Sequence, residues 1–565
     1  MNEWNPLTEE EHTPLPRRTN NTAEVQASLH KPAPHKRLPK PVKPILKKMD
    51  KPRLKRLEAM GLPRTTSKIL QRLAKDAIES EASIPSDIPA KEVVGKFGLM
   101  HPTSFALEHE AADMLLEWSE KGCPVDTGPN WSRNQIEEAI KRGPHKSAHE
   151  DGAVEFLINE TNEKVKYNYA KVVRYGDIQE NLPSNLKISP VSMIPHKSKL
   201  FRCILDLSFQ LKNPRTGKKW DSVNSATTKL SKQQSMGQLG SVVKRIVATM
   251  ADHYDPGKPF MFTKLDIKDR FWRMAVSNEA AWNFCYVLPS NNKDLPLEDT
   301  MIVVPNSLQM GWTESPPCFC AGTETARDLM EIMLPLVESL NPHPLEKKME
   351  QATEGTNEQK KEPAKSNEHD DKTPFKTLFE VFVDDFMAAT NQIDPKNLTK
   401  ISRVMLHAIH CIFPPPEVTG HKGEDSISVS KIDNGDGKWS YLKEILGWII
   451  DGKDYTITLP KSKLKKITNE VNKAVRMKKV PLKQFQELAG KLQHASFAMP
   501  GGWGLFSPVQ AAMQGSPKIV DITPELVGRM PAGLENHHLA SDSTSDPCTT
   551  AGGWIPRFPR LHGCL

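Results

Sequence analysis

The segment Phe379-Glu-Val-Phe-Val-Asp384-Asp385-Phe386-Met-Ala-Ala sets apolar residues on both sides of an adjacent acidic pair. That pattern fits a buried hairpin with two carboxylates at its tip, because apolar runs of strand length need cover and ionised groups resist burial. By itself such a pair is more often a structural turn than a reactive site. A second segment, Phe262-Thr-Lys-Leu-Asp266-Ile-Lys-Asp269-Arg270-Phe271-Trp-Arg-Met, ends another apolar strand on an Asp. A carboxylate from each strand end, brought together, would hold two Mg2+ ions about 4 Å apart, with Mn2+ as the alternative metal. Hard cations take such oxygen ligands, and a metal pair activates an attacking hydroxyl while neutralising a leaving phosphate.

The 565 residues suffice for about three or four structural units. Hydrophobic residues make up 38% and charged residues 26%, with a mean hydropathy of −0.52, so part of the chain is expected to be disordered. No run of 18 apolar residues occurs, and Met1 to Pro16 is acidic and polar, which argues against membrane insertion and secretion. The eight cysteines are scattered, with no CxxC pair and no Cys/His cluster at zinc spacing. A reduced intracellular protein, cytoplasmic or nuclear, is expected. Of the net charge of +7, +10 falls between Lys31 and Arg56, where eleven Lys and Arg face only Asp50, so the remainder of the chain is at −3.

Residues 1–85 combine that basic run with repeated prolines and read as a disordered arm. A nuclear-import or nucleic-acid-binding role and a plain solvated linker are equally compatible with it. From 86 the pattern turns globular, with Phe105 to Trp118 amphipathic and Trp131 to Ile140 helical behind a Ser132 cap. Strand-like runs follow at Val191–Ile194, Phe201–Leu207, Phe260–Ile267, Phe284–Leu288, Met301–Val304 and Leu378–Val383. Helical stretches lie between them without a regular βα rhythm, which suggests an α+β fold with a mainly antiparallel sheet. Asn341 to Pro374, nearly devoid of large apolar residues, reads as a flexible insertion. Ile445–Ile450 and Tyr455–Leu459 flank Asp451-Gly452 as a hairpin. Two helices follow, one marked by Leu464, Ile467, Val471 and Val475, the other by Phe485, Leu488, Leu492 and Ala495.

In order along the chain stand IPHKSKLFRCILDLSF, FTKLDIKDRFW, LQMGWTESP, FVDDF and ILGWII. On these five segments the chain resembles the reverse transcriptase domain of retroelements, of the LTR-retrotransposon kind, from about Pro190 to Pro508. The resemblance implies a right-hand polymerase: fingers and palm over 190–450 with an antiparallel palm sheet, thumb or connection helices over 451–510, and a helical extension over 86–189 ahead of them. It implies that Asp266 and Asp384 bridge the metals, that Asp385 is the adjacent carboxylate, and that the Ile267 carbonyl is a further ligand. Lys197 or Lys199, with Arg202, would clamp the incoming triphosphate, as ammonium and guanidinium groups suit phosphate oxygens. An exposed basic hairpin is the plainer reading of these three.

The resemblance also sets Asp269, Arg270, Phe271, Met310 and Gly311 around the nucleotide, with Phe271 excluding a ribose 2′-hydroxyl. As residues alone, Phe271 reads equally as a core aromatic. Trp312, Ser315 and Pro316 would support the template, and Gly447 and Trp448 would grip the primer end. Lys465, Lys466 and Lys473, on a helix from Lys461 to Lys479, would track duplex phosphates, or else form a solvated helix face. The implied activity is RNA-directed DNA polymerisation on an RNA or DNA template-primer with dNTPs.

Two positions depart from the family pattern: Arg270 replaces the usual Gly or Ala beneath the nucleotide sugar, and Met310 replaces a common Gln. A decayed retroelement product that binds nucleic acid without polymerising is therefore the alternative, and an RNA-templated RNA polymerase is disfavoured by Phe271. Within 511–565, read as a linker and a truncated start, His538 to Trp554 resembles the first strand of a retroelement RNase H domain. Asp542 matches its first metal carboxylate, and no RNase H activity is expected from so short a stretch. Nothing resembles an aspartic protease, an integrase or a zinc knuckle.

Overall fold

The structure, a computed structural model, describes residues 106, 109–196, 200–229, 241–290, 295–349, 376–416, 423–496 and 502–529. The basic arm, the greater part of the 341–374 insertion, the RNase H-like stretch with Asp542, and Lys197 and Lys199 lie outside the described residues. No described helix is long and apolar enough to cross a membrane.

Thirteen strands are described. They are β1 (Ala170–Arg174), β2 (Val191–Pro195), β3 (Phe201–Leu205), β4 (Met261–Asp266), β5 (Tyr286–Val287), β6 (Met301–Pro305), β7 (Thr377–Phe382), β8 (Asp385–Thr390), β9 (Leu442–Ile445), β10 (Trp448–Asp451), β11 (Thr456–Thr458), β12 (Lys479–Pro481) and β13 (Ile519–Asp521). They form five small sheets, ordered β1-β6-β5, β2-β3, β4-β8-β7, β11-β10-β9 and β12-β13. Every pairing between these strands is antiparallel, as expected of interleaved helices and strands without βα crossovers.

The β4-β8-β7 sheet is covered on both faces, which is why its strands read as nearly continuous apolar runs. Side chains alternate between two cores with the two-residue period of a strand. Phe379, Val381, Phe386 and Ala388 join the larger cluster, which includes residues of helices Ser315–Met333 and Pro395–Ile412. Phe262, Leu378, Met387 and Ala389 join a second cluster with Val242 and Ile246 of helix Val242–Asp252 and Ile450 of β10. Each fully buried Phe contributes about 1.5–3 kcal/mol relative to exposure. A third cluster holds Ile467, Phe485, Leu488 and Leu492 of helices Lys461–Met477 and Leu482–Ser496, together with Val520 of β13.

Several boundaries differ from the sequence reading. Ile445–Ile450 is not one strand: Leu446 and Gly447 take φ of 48° and 78°, closing a two-residue turn between β9 and β10. Of Phe284–Leu288 only Tyr286–Val287 is strand, because Ala280–Phe284 winds as a 3₁₀ helix. Of the amphipathic Phe105–Trp118 stretch, the first described helix takes up Ala112 onward and runs to Lys121. Ser132 caps Arg133–Arg142 with a full capping box through Gln135.

Asn341 to Met349, assigned from composition to the insertion, is anchored. His343 is buried beside His410 at 2.9 Å, and Glu346 pairs with Arg403 at 2.8 Å. The described part of the C-terminal linker, to Arg529, packs through Val520, Ile522 and Leu526. Short polar-looking segments hid these contacts because their partners are distant in sequence.

On the second face of the β4-β8-β7 sheet, Arg245 donates from Nε and Nη2 to the two carboxylate oxygens of Glu380 at 2.5 Å each, and Glu380 is 3% exposed. Arg245→Leu removes this bidentate partner from a buried carboxylate and is expected to cost about 3 kcal/mol in a urea unfolding series. A loss below about 1 kcal/mol would show that other groups carry the Glu380 charge.

Candidate active site

The strand register fixes the first two carboxylates. In the β4-β8 ladder Asp266 lies directly opposite Asp385. In the β7-β8 hairpin Phe382 pairs with Asp385, so Val383 and Asp384 make the turn. Val383 sits at φ 58°, a left-handed position that a β-branched residue rarely takes. Such strain persists only where the surrounding structure over-determines it. Backbone bonds hold the strand ends: the Ile267 N–H donates to the Asp384 carbonyl at 3.2 Å, and the Ser428 N–H donates to the Asp266 carbonyl at 2.8 Å.

Asp266, Asp384 and Asp385 each bring a carboxylate oxygen within 4.8 Å of the others. Asp266 and Asp384 are buried and Asp385 is half-buried. Burial pushes the Asp384 carboxyl up to about 7; Arg270 opposes this, while Asp266 and Asp385 reinforce it. Burial, then the Asp266 charge, pushes Asp385 up to about 6 against Lys431 and Lys264. Three hard oxygen donors gathered this closely, with Asp384 and Asp385 pushed up by burial and by neighbouring charge, form a donor set suited to a divalent cation such as Mg2+. Two side-chain cations already touch it: Arg270 Nε is 2.5 Å from Asp384 Oδ2, and Lys431 Nζ is 2.6 Å from Asp266 Oδ1.

The turn after Asp266 carries Arg270 into this position. Asp269 and Arg270 both take positive φ, 64° and 41°. Asp269 is held by Lys164 at 2.9 Å, with both side chains largely buried. Burial alone would raise the Asp269 carboxyl, but the Lys164 and Arg273 charges hold it below its usual value. The Lys164 ammonium also lies 5.7 Å from the ring centroids of Tyr169 and Trp272. Arg273 donates to the carbonyls of Lys268, Glu424 and Asp425, joining the turn to the strip that continues to Lys431. Phe271 is buried and packs edge-to-face on Phe319, with ring centroids 5.3 Å apart.

The remaining sequence-derived residues form separate groups. Arg202 on β3 donates to Met310 Sδ at 3.0 Å, which brings two of the nucleotide-side candidates together. Gly311 has φ 107°, and a Cβ there would stand 2.6 Å from the Leu205 carbonyl oxygen, so only glycine fits. Trp312 and Ser315 are core groups. The Trp312 indole is 1% exposed and donates to Thr227 Oγ1, and the buried Ser315 hydroxyl donates to the Gln309 carbonyl. Their side chains present no surface to a template in this structure, and Pro316 is half-buried.

Trp448 is likewise buried, its ring stacked on His494 at 5.7 Å, and the Gly447 carbonyl accepts from Lys463. This hairpin tip docks on the two following helices. Lys465, Lys466 and Lys473 are exposed on helix Lys461–Met477, Lys465 opposite buried Ile467 and Ala474 and Lys466 and Lys473 together on its flank. Sequence reading missed Lys164 and Lys431 as partners of the site. Only the isolated position of Lys431 in an otherwise polar strip, and no local pattern around Lys164, could have signalled them.

No protein-family model matches the chain, and no curated protein matches it. Among solved structures it is similar to the foamy viral protease-reverse transcriptase dRH in complex with double-stranded DNA, at 12% identity and a TM-score of 0.37, over 79% of this chain and 59% of that one. It is also similar to the foamy viral protease-reverse transcriptase in complex with double-stranded DNA, at 12% identity and a TM-score of 0.37, over 86% of this chain and 71% of that one. A third structure, of the same protein in complex with an RNA/DNA hybrid, aligns at 12% identity and a TM-score of 0.32, over 73% of this chain and 47% of that one. The chain thus spans 59% of the length of the first of these.

The raised carboxyls set a pH dependence. Between the ordinary value of 3.8 and about 7, the folded, metal-free protein retains protons on Asp384 that the unfolded chain has released. Stability should therefore fall as pH rises through that window. Urea midpoints with chelator present should show the decline in the wild type and a shallower one in Asp384→Asn; identical slopes would mean that Asp384 does not titrate there.

Proposed function

We propose that the chain is a template-directed nucleotidyltransferase of the reverse-transcriptase type, an RNA-directed DNA polymerase of a retrotransposon. The reading is carried by one observation: two strand-end carboxylates in register, Asp266 and Asp385, with Asp384 in the adjoining turn and all three within 4.8 Å. The order of the five sequence segments supports it. Asp266, Asp384 and Asp385 would hold the divalent ions, two Mg2+ in this proposal, and the Ile267 carbonyl lies next in the chain as a further oxygen. Bound there, such ions would ease attack of a primer 3′-oxygen on a phosphate and departure of pyrophosphate.

The protein's own residues then bind and orient. Arg202, with Lys197 or Lys199, would meet the triphosphate oxygens of a dNTP. Phe271, fixed against Phe319, would act as a rigid wall beside the sugar rather than a mobile gate. The exposed Lys465, Lys466 and Lys473 offer a row of charges to the phosphates of an RNA or DNA template-primer. Much of the rate gain would come from positioning and from preorganised charge.

A second reading, a decayed remnant that binds nucleic acid without polymerising, is favoured by the Arg270 contact to Asp384, because that guanidinium stands on a carboxylate the chemistry needs. Primer extension on an RNA template with Mg2+, comparing dNTPs with NTPs, tests both. Template-dependent DNA synthesis should fall about a hundredfold or more in Asp384→Asn with template binding intact. Retained synthesis in that variant would sink the site assignment. No synthesis by the wild type, with a large gain in Arg270→Gly, would establish the decayed reading.

A further inference from the structure

The carboxylate cluster does not stand alone, and its two cationic neighbours share a geometry that the proposed polymerase chemistry does not use. Arg270 reaches Asp384 at 2.5 Å and Lys431 reaches Asp266 at 2.6 Å, each on a different carboxylate. The two come from opposite sides in sequence. Arg270 follows β4 in the left-handed turn pinned by Lys164 and Asp269, and Lys431 lies in the short helix Val429–Asp433, tied to β4 by the Ser428 to Asp266 backbone bond. The cations are partly open to solvent, with side chains 40% and 41% exposed, while their carboxylate partners are at 5% and 9%. The charged ends therefore sit over the carboxylates and can swing outward without unpacking the core.

Mg2+ binds oxygen ligands at about 2.0–2.1 Å, closer than either ammonium or guanidinium approaches. An ion on the same carboxylates would stand a few ångström from both resident cations, and like charges at that range repel strongly where water is partly excluded. Removing three carboxylates from water without any cation is equally unfavourable. We infer that Arg270 and Lys431 are built-in counter-ions of the carboxylate cluster, holding its charge in the metal-free protein and competing with the divalent ion, so that metal entry and release of these two side chains are one coupled event. This rests on the reading of the cluster as a divalent-metal site.

Mn2+ binding to the full chain, stripped of metal by chelator and followed by the electron paramagnetic resonance of free Mn2+, tests it without reference to catalysis. Arg270→Gly, at a position whose φ of 41° suits glycine, and Lys431→Met should each bind Mn2+ about tenfold more tightly than the wild type, equivalent to about 1.4 kcal/mol. Each metal-free variant should melt at a lower temperature than the wild type and show a larger rise in Tm on adding Mn2+. Lys431→Met, outside the strained turn, keeps the test available if Arg270→Gly does not fold. Wild-type affinity in both variants, with binding lost in Asp384→Asn, would overturn the counter-ion role and leave the metal site standing. Undiminished Mn2+ binding in Asp384→Asn would instead overturn the metal-site reading itself.

Discussion

Mutual repulsion among three poorly solvated carboxylates is the constraint around which the centre of this molecule is arranged. Strand pairing alone would bring Asp266 and Asp385 face to face with Asp384 beside them, and within the sheet Lys264 of β4 counters part of that charge at Asp385. The rest of the offset comes from outside the sheet. Arg270 and Lys431 meet Asp384 and Asp266 directly, and Lys164 neutralises the neighbouring Asp269. The positive-φ turn at Asp269 and Arg270 makes sense in this light, since an ordinary extended exit from β4 would not fold the chain back over its own last residue.

The same logic extends through the strip between Glu424 and Lys431. Arg273 gathers the carbonyls of Lys268, Glu424 and Asp425, and Asp425 accepts from His410, which in turn meets His343. A continuous run of polar contacts thus reaches from the carboxylate cluster to the segment that leads out of the helical layer at Met349. Arg273, Asp425, His410 and His343 each have a hydrogen-bond partner in this run, and such paired buried networks stiffen a core.

Much of this was legible in the sequence, but unevenly. The β7-β8 hairpin and the end of β4 were readable because apolar runs flanking an Asp leave little choice about which end faces solvent. Ser132 announced a helix start, and the structure adds Gln135 as its capping-box partner. Trp312 and Trp448 show what a motif leaves open: it locates a residue along the chain, whereas the fold decides that their rings pack on Phe284 and His494. Lys164 and Arg245 were beyond reach, because their partners Asp269 and Glu380 lie 105 and 135 positions away, with no periodicity linking them. The turn at Leu446-Gly447 hid inside an apolar hexapeptide, where leucine in a left-handed conformation gives no compositional hint.

The register of β8 against β4 makes the cluster a matter of counting as much as of chemistry. Side chains alternate between faces along a strand, so shifting β8 by one residue against β4 would bring Phe386, rather than Asp385, opposite Asp266. It would also exchange the Phe386 and Ala388 positions with those of Met387 and Ala389, moving each set into the other core. Both cores would have to repack for that slip to persist. Hydrophobic packing on two sides thus acts as a proofreader for the acidic tip, and lengthening or shortening either strand by one residue would be selected against even where every Asp was retained.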